Sequence, residues 1–377
     1  EVNMRSLMLR LSQRGLCAVG GGVGAASVAG VAWTYHRDSR WVQPNVPEAL
    51  RPAACEEVGA RNLRVLYPEL APTESGLLST SDGKHQLYYE VSGNPRGKPV
   101  LFLHGGPGDG SSSKHRRQFD PAAFRIVVFD QRGAGKSLPS GSLDANTTQR
   151  LVDDCELLRR HLHIDSWGLV VGGSWGSTLA LAYAQAHSSV VRRMVLYSIF
   201  LPSRRSIDWL YSPGGASEYY PDAYDAFISH LPASERTTPL QSYYRRLLSP
   251  DPQVCLPARG SLAKWTLTCL ALTPDEEFIA SAVARPEEMG QGPLIETHYM
   301  MQDCFLDEGQ LLQGCERIHH IPCTIIHGRY DMICPPSGAW QLHRALPLSR
   351  LQIVPESGHS SSAAPRLRSA VLEAIDG

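Results

Sequence analysis

The feature that most constrains the fold is an alternation of short apolar runs with helix-like segments. An alternating stretch, KHQLYYEVSG, comes first, and six apolar runs follow it along the chain: KPVLFL, FRIVVF, SWGLVV, VRRMVLY, IPCTIIH and SRLQIV. Between the second and third runs, helical spacing relates four apolar residues: Leu151, Cys155, Leu158 and Leu162. Buried runs separated by amphipathic helices predict an α/β fold, in which helices cover both faces of a mostly parallel sheet.

The alternation is interrupted once. Residues 201–294 are rich in Pro, Tyr, Trp and Ser, and no apolar run of comparable quality occurs there. The strand pattern then returns and a last helix, APRLRSAVLEAI, follows. We therefore expect one sheet domain, formed by residues 67–200 and 295–377, with residues 201–294 inserted as a helical cap.

The first part of the chain, residues 1–66, has a different composition. Its stretch from Met4 to Arg37 contains four arginines and no acidic residue, around a middle rich in Gly and Ala. This is typical of a targeting peptide. We interpret it as an organellar presequence, for a mitochondrion or a plastid. A signal anchor, a secretory signal and an untargeted tail on a cytoplasmic protein are the alternatives. A Pro-rich linker leads to the folded domain near Tyr67.

Composition argues against several classes of function. The 36 basic and 37 acidic residues balance, so no basic excess favours nucleic acid. Nine cysteines occur singly, without a CxxC pair, and fourteen histidines form no HExxH motif. We expect reduced thiols, no metal and no membrane association in the mature form. The sequence leaves the oligomeric state open.

Residues 130–137, DQRGAGKS, end like a phosphate-binding loop. That loop needs Gly-x-x-x-x-Gly-Lys-Ser between a strand and a helix, but Asp130 stands where the first glycine is required. The next segment, LPSGSLDANTT, contains Pro139 and Gly141 and does not read as a helix. We therefore expect no nucleotide, and we interpret Asp130, Gln131 and Arg132 as a buried polar turn that shapes a neighbouring loop.

A second motif, GGSWG, has the context that it requires. It places Gly172-x-Ser174-x-Gly176 between an apolar run and a helix pattern, as in the turn that presents a nucleophilic serine. The serine takes a strained backbone conformation there, and larger side chains two residues away would collide with the turn. Ser174 is therefore the candidate nucleophile.

A serine nucleophile needs a histidine to take its proton and a carboxylate to orient that histidine. Asp331 and His359 follow two successive apolar runs after the serine, in the order acid then base. We predict a Ser174, His359, Asp331 triad. Other histidines, such as His327, lie before or within a strand and are not expected at the serine.

Acyl transfer also needs hydrogen-bond donors for the oxyanion. The HGGPG segment ends the first parallel strand, and we expect the backbone N–H of Gly106, or alternatively of Gly105, to be one donor. The N–H of Trp175, just after the nucleophile, is the other. We expect His104 to pack this loop.

The motifs HGGPG, DQRGAGKS, GGSWGS, GRYD and SGH, in this order, resemble those of the proline iminopeptidases, serine peptidases of the α/β-hydrolase fold. The resemblance runs from about Tyr67 to the end of the sequence. It implies release of N-terminal proline from peptides, without cofactor or metal. It also implies that Glu296, in IETHYM, binds the substrate ammonium, and that Phe200, Cys334 and Gly105 contact the substrate.

The sequence departs from the family in the substrate site. Cys269 stands at the place assigned to a second glutamate of a Trp-x-x-Trp-Glu stretch, and Tyr197 replaces an arginine. Met300 and Leu210 replace aromatic residues. These changes leave open an esterase or amidase with altered specificity, and, from another class, a non-catalytic binding protein on a hydrolase fold.

Overall fold

The computed structural model describes residues 63–377, and its centre is a sheet of eight strands. The strands are β1 (Glu74–Ser79), β2 (Gln86–Gly93), β3 (Lys98–Leu103), β4 (Phe124–Phe129), β5 (Leu169–Gly173), β6 (Met194–Tyr197), β7 (Cys323–Gly328) and β8 (Ser349–Val354). Their order across the sheet is β1-β2-β4-β3-β5-β6-β7-β8. Strand β2 is antiparallel to β1 and β4, and every other pair is parallel. The predicted α/β fold is confirmed.

Twelve α-helices accompany the sheet in the described part of the chain. They are α1 (Ser113–Arg116), α2 (Thr148–His161), α3 (Trp175–Ala186), α4 (Arg204–Tyr211), α5 (Pro221–Ser229), α6 (Pro239–Leu247), α7 (Pro252–Leu270), α8 (Glu276–Val283), α9 (Gly292–Met301), α10 (Gln310–Gln313), α11 (Ser337–Ala345) and α12 (Pro365–Asp376). Helices α4 to α10 lie between β6 and β7, where the sequence predicts an insertion.

The sheet has a hydrophobic core on each face because neighbouring strand residues point to opposite sides. In β3, Leu101 and Leu103 belong to one core, whereas Val100 and Phe102 belong to the other. The first core includes residues of α2, α3 and the cap, and the second includes Leu367 and other residues of α12. Burial on both faces explains why these strands appear in the sequence as continuous apolar runs.

The cap is helical, as its composition predicts, but its end differs from the predicted one. Helix α9 packs against α6 and α7 of the cap. The expected boundary between residues 294 and 295 falls inside α9, so the cap extends at least to the end of that helix, Met301. The candidate ammonium partner Glu296 therefore lies on a cap helix.

The predicted targeting segment and most of the linker, within residues 1–66, lie outside the described residues. Near the predicted start of the folded domain, the backbone N–H of Tyr67 donates to the carbonyl of Arg117 at 2.8 Å. No helix within residues 63–377 combines the length and the hydropathy needed to cross a membrane.

Candidate active site

Ser174 lies on the tight turn between β5 and α3. Its φ is 55° and its ψ is −127°, a conformation that is uncommon for a residue with a side chain. A Cβ atom on Gly172 would lie 2.2 Å from the Gly176 carbonyl oxygen, and one on Gly176 would lie 2.1 Å from the Leu103 carbonyl oxygen. The turn therefore requires both glycines of the motif, because no side chain fits at either position.

A cavity of about 600 Å³ lies at this edge of the sheet, between the strand ends and the cap. Parallel strands end there together, which is where open α/β sheets bind ligands. The sequence-predicted residues that line this cavity are Gly105, Gly106, Ser174, Glu296 and His359. We refer to it below as the serine cavity. Asp331 and Trp175 are buried behind its wall.

His359 and Asp331 form a hydrogen-bonded pair beside the cavity. His359 Nδ1 is 2.8 Å from Oδ2 and 2.9 Å from Oδ1 of Asp331. Because a carboxylate only accepts, Nδ1 carries the proton, and the lone pair of the neutral ring is on Nε2. This is the tautomer that can accept a proton from a serine hydroxyl.

The Asp331 carboxylate is held from several sides. The backbone N–H groups of Ile333 and Cys334 donate to Oδ1 at 3.0 and 2.8 Å. Burial alone would raise the pKa of Asp331, but the electrostatic interactions and hydrogen bonds of the His359 and His327 imidazoles hold it well below its usual range. Asp331 is therefore ionised under the conditions in which the enzyme would act.

His327 is a supporting residue that the sequence reasoning dismissed. It lies in β7, fully buried, with Nε2 3.3 Å from Asp331 Oδ2. Its Nδ1 accepts the Ile199 N–H at 2.9 Å, so Nε2 carries the proton and donates to the Cys334 carbonyl at 2.7 Å. As predicted, His327 does not line the serine cavity. It braces the loop that carries Asp331, and a single histidine within an apolar run gives no sequence signal of that role.

Two candidate oxyanion donors lie close to the serine. In the residues that the structure describes, the backbone N–H groups of Gly106 and Trp175 donate to no protein acceptor. The Trp175 N–H is the first of α3, a position whose donor has no partner within the helix. The N–H of Gly105, the alternative donor, likewise donates to no protein acceptor within residues 63–377. These groups are uncommitted, and their role as oxyanion donors stays a prediction.

The HGGPG loop is fixed by the polar turn that resembles a phosphate loop. The His104 ring accepts the Gln131 N–H through Nε2 at 3.0 Å, so its Nδ1–H donates to the Gly105 carbonyl at 2.9 Å. The Gln131 side chain donates to the His104 carbonyl and accepts from the Trp175 indole at 2.8 Å. His104 is thus a buried packing residue, and Gln131 connects the HGGPG loop with the nucleophile turn.

In the same turn, backbone N–H groups donate to the carboxylate of Asp130, whereas those of a phosphate loop donate to a bound phosphate. The Asp130 carboxylate accepts the backbone N–H groups of Ser111 at 2.6 Å and Lys136 at 2.7 Å. The next helix after Ser137 begins only at Thr148. The helix N-terminus that a phosphate loop requires is missing at this place, so the nucleotide hypothesis is wrong for this motif.

Glu296 projects from the cap into the cavity. The Tyr211 hydroxyl donates to its Oε1. The pKa of Glu296 is raised to about 7. Burial is the largest cause, the charge of Asp109 adds to it, and the hydrogen bond from Tyr211 opposes both. A carboxylate in such surroundings gains from a cationic ligand.

Helix α7 turns one face to the cavity and another to the core. The cavity face consists of Ala263, Thr266, Leu267 and Leu270, at helical spacing. The core face includes Leu262, Trp265 and Cys269, and Cys269 is fully buried. Cys269, which the family resemblance assigns to the place of a second glutamate, therefore faces the core and not the serine cavity. Thr266, which directly follows Trp265, is the polar residue of α7 that lines the cavity.

Two expected pocket residues are placed elsewhere. Phe200 and Cys334 line a separate cavity of about 280 Å³, together with Trp209 and other residues, and neither lines the serine cavity. Phe200 follows β6 and Cys334 follows β7, so both lie at the sheet edge near the serine cavity. Their side chains nevertheless line the separate cavity. Met300 is buried in the core and also does not line the cavity.

Other residues surround the space where a substrate would lie. Leu210 and Tyr197, both named from the family comparison, do line it. Ile333 and Met289 also line it, although the sequence reasoning did not single them out. Within residues 63–377, no three His, Cys, Asp or Glu side chains lie close enough together to hold a metal ion.

Comparison with known proteins places this geometry in a family. A family model described as the alpha/beta hydrolase fold matches residues 98–363. A probable proline iminopeptidase of Leptolyngbya boryana is 47% identical over 315 residues, which are 83% of this chain and 97% of that protein. The proline iminopeptidase of Arabidopsis thaliana is 46% identical over 303 residues, 80% of this chain and 79% of that one.

A solved structure agrees at the level of the fold. A thermophilic esterase from Thermogutta terrifontis superposes with a TM-score of 0.57 at 20% identity, covering 80% of this chain and 97% of that one. At this identity the match describes the fold alone. Together with the two sequence relatives, it leads to one conclusion: the chain belongs to the proline iminopeptidase family of α/β hydrolases.

Proposed function

We propose that this chain is a serine exopeptidase that releases proline from the N-terminus of peptides. The observation that carries the proposal is that Ser174, His359 and Glu296 line one cavity. A nucleophile, its base and a carboxylate suited to an ammonium thus surround the same space. The relatives at 46–47% identity are named as proline iminopeptidases, which supports the same substrate.

The proposed reaction starts at the serine. His359 Nε2 takes the proton from the Ser174 hydroxyl while Oγ attacks the prolyl carbonyl carbon, and the N–H groups of Gly106 and Trp175 stabilise the oxyanion. The peptide C–N bond breaks, and the imidazolium gives its proton to the leaving amine. Asp331 remains ionised and stabilises the imidazolium throughout.

Water completes the cycle. It enters after the shortened peptide leaves, gives a proton to His359 Nε2 and attacks the acyl carbon. The ester bond to Ser174 then breaks, the proton returns to the serine oxygen, and free proline is released. Glu296 binds the substrate ammonium through both steps, because a cation in the enclosed cavity needs a carboxylate partner.

The test compares Pro-aminomethylcoumarin with its N-acetylated form, using wild type and Ser174→Ala. We expect wild type to hydrolyse the free amine at least about tenfold better, the lower bound for one charge-assisted hydrogen bond. Ser174→Ala should lose at least about 10⁴-fold in kcat on the free amine, because the nucleophile is gone. Undiminished turnover in Ser174→Ala would refute the mechanism, and equal turnover of the two substrates by wild type would refute the exopeptidase.

An esterase of the same machinery is the second candidate function. It is favoured by the α7 side of the cavity wall, where Ala263, Thr266, Leu267 and Leu270 supply no carboxylate. A relaxed site of this kind would hydrolyse simple aryl esters as well as Pro-aminomethylcoumarin. A non-catalytic binding protein would hydrolyse neither.

We also infer, from composition alone, that residues 1–66 contain an organellar targeting segment. A fluorescent protein fused after residue 66 should then accumulate in a mitochondrion or plastid. Diffuse fluorescence in the cytoplasm would contradict this inference.

A further inference from the structure

Asp109 directly follows the HGGPG segment, and it lines the serine cavity. A Cβ atom built on Gly105 would lie 3.5 Å from Asp109 Oδ2 and 3.6 Å from the Ser174 Cβ, so Gly105 separates the two residues. Cβ atoms built on Gly106 and Gly292 would lie 3.2 Å and 3.9 Å from Asp109 Oδ1. The carboxylate therefore lies between the nucleophile and the first turn of α9.

Helix α9 also carries Glu296 on the side where Asp109 lies. Gly292 and Glu296 are four residues apart, so they share a face of the helix. Both residues line the serine cavity together with Asp109, and the charge of Asp109 raises the pKa of Glu296. The two carboxylates are close enough to repel each other when the cavity holds no cation.

No group of the described chain neutralises this pair. Asp109 accepts no hydrogen bond and has no salt-bridge partner within residues 63–377, although its side chain is open to the cavity. Glu296 accepts only the neutral Tyr211 hydroxyl. The imidazoles nearest Asp109 hydrogen-bond to other partners: His104 Nε2 accepts the Gln131 N–H, and His359 Nδ1 donates to Asp331. Burial raises the pKa of Asp109, and its interactions with these two imidazoles lower it.

The chemistry of an N-terminal proline fits this arrangement. Its secondary ammonium has two N–H donors, and it is separated from the scissile carbonyl carbon by the Cα atom alone. An anchor for that ammonium must therefore lie close to the nucleophile, as Asp109 does. Two acceptors on different walls can each receive one of the two N–H groups, and they fix the direction of the ring as well as its charge.

We propose that Asp109 is a specificity-determining residue that binds the substrate ammonium together with Glu296, so that each carboxylate accepts one N–H of an N-terminal proline. This proposal rests on the exopeptidase function proposed above. It assigns one anchor to the HGGPG loop and the other to the cap, so the substrate amine joins the two walls of the cavity.

The experiment compares two substrates within each variant. Pro-aminomethylcoumarin carries the ammonium, and cyclopentanecarbonyl-aminomethylcoumarin has the same ring without the nitrogen. The ratio of their kcat/KM values measures recognition of the amine and cancels effects on the shared machinery. In Asp109→Asn we expect this ratio to fall about ten- to hundredfold, as for the loss of one charge-assisted hydrogen bond.

Two further variants control the result. Asp109→Glu retains the charge and should keep a larger part of the ratio than Asp109→Asn. Asp165→Asn removes an equal charge from an exposed side chain outside the cavity, and its ratio should equal that of wild type. Thermal unfolding of each variant checks that the fold persists.

The outcomes separate this inference from the function on which it rests. A wild-type ratio near one would refute the exopeptidase itself. A high wild-type ratio that persists in folded Asp109→Asn would overturn the role of Asp109 and leave the exopeptidase intact. An equal loss on both substrates would also overturn it, because Asp109 would then act on His359 and not on the amine. If Asp109→Asn does not fold, Asp109→Ser takes its place: a ratio equal to wild type in the folded variant overturns the role of Asp109, and a ratio lowered about ten- to hundredfold supports it.

Discussion

The two walls of the serine cavity differ in how firmly their groups are held. On the wall formed by the sheet edge, backbone N–H groups, His327 and Gln131 fix Asp331 and the HGGPG loop in place. On the cap wall, Glu296 has one hydrogen bond, to Tyr211, and the neighbouring α7 face carries small and aliphatic side chains. The difference teaches that the acyl-transfer groups are held by many contacts, whereas the carboxylate that the cap offers to a substrate amine is held by one hydrogen bond.

The largest effect is expected from a substitution in the sheet-edge wall, Asp331→Asn. In Asp331→Asn, the N–H groups of Ile333 and Cys334 hold the amide oxygen at the Oδ1 position, so the NH₂ group faces His359 Nδ1. The histidine must then accept at Nδ1 and carry its proton on Nε2, where it cannot take the proton of Ser174. We expect kcat to fall about 10⁴-fold, as for the same change in a serine protease.

This loss should be the same for Pro-aminomethylcoumarin and for its deaminated analogue. Steady-state kinetics with both substrates measures it. A selective loss on the free amine would mean that Asp331 also serves substrate selection, and the contrast between the walls would fail.

A smaller and selective effect is expected on the cap wall. Glu296→Gln keeps the size of the side chain and can still accept from Tyr211, but it removes the charge that faces the ammonium. We expect kcat/KM for Pro-aminomethylcoumarin to fall about ten- to hundredfold, with little change for the deaminated analogue. Glu235→Gln, which changes a glutamate elsewhere in the cap, is the matched control. A uniform loss on both substrates would place Glu296 with the acyl-transfer groups instead.

The smallest expected effect is a shift in the pH dependence of the preference for the free amine. Tyr211 donates to Glu296 and thereby favours its ionised form, so Tyr211→Phe should raise the pKa of Glu296 above its value of about 7. Preference for the free amine requires that ionised form. It is therefore present above this pKa and is lost as the pH falls through it, and in Tyr211→Phe the loss begins at a higher pH.

The measurement is the substrate ratio between pH 6 and pH 9, in which the pH dependence of the shared acyl-transfer groups cancels. Asp109 faces the same site and titrates with Glu296, so the midpoint belongs to the pair. At pH 8 we expect a change below about tenfold. A midpoint that does not move would show that the Tyr211 hydroxyl has no influence on the anchor.

The sheet and the nucleophile turn could be predicted from the sequence because their signals are local. Strands buried on both faces are continuous apolar runs, and the turn at Ser174 needs glycines at fixed positions. The edge strand β1 escaped prediction because ESGLLS is mostly exposed and has no apolar run. That Cys269 faces the core could not be predicted, because the choice between two faces of one helix depends on register and not on composition.

The residues around the chemistry were harder to find for a different reason. His327 supports Asp331 and Asp109 approaches Glu296 through contacts between segments far apart in the chain, and a single histidine in a strand or aspartate in a loop carries no pattern. Phe200 and Cys334 show the converse. The family resemblance implied that they contact the substrate, but both line another cavity.

One contact joins the two walls mechanically. The carbonyl of Leu270, at the end of the long cap helix α7, accepts the backbone N–H groups of His359 and Ser360, both at 3.0 Å. If this helix end moved further than a hydrogen bond can stretch, either both bonds would break or His359 would move with the helix. The position of the catalytic base is therefore tied to the end of a cap helix as well as to the sheet.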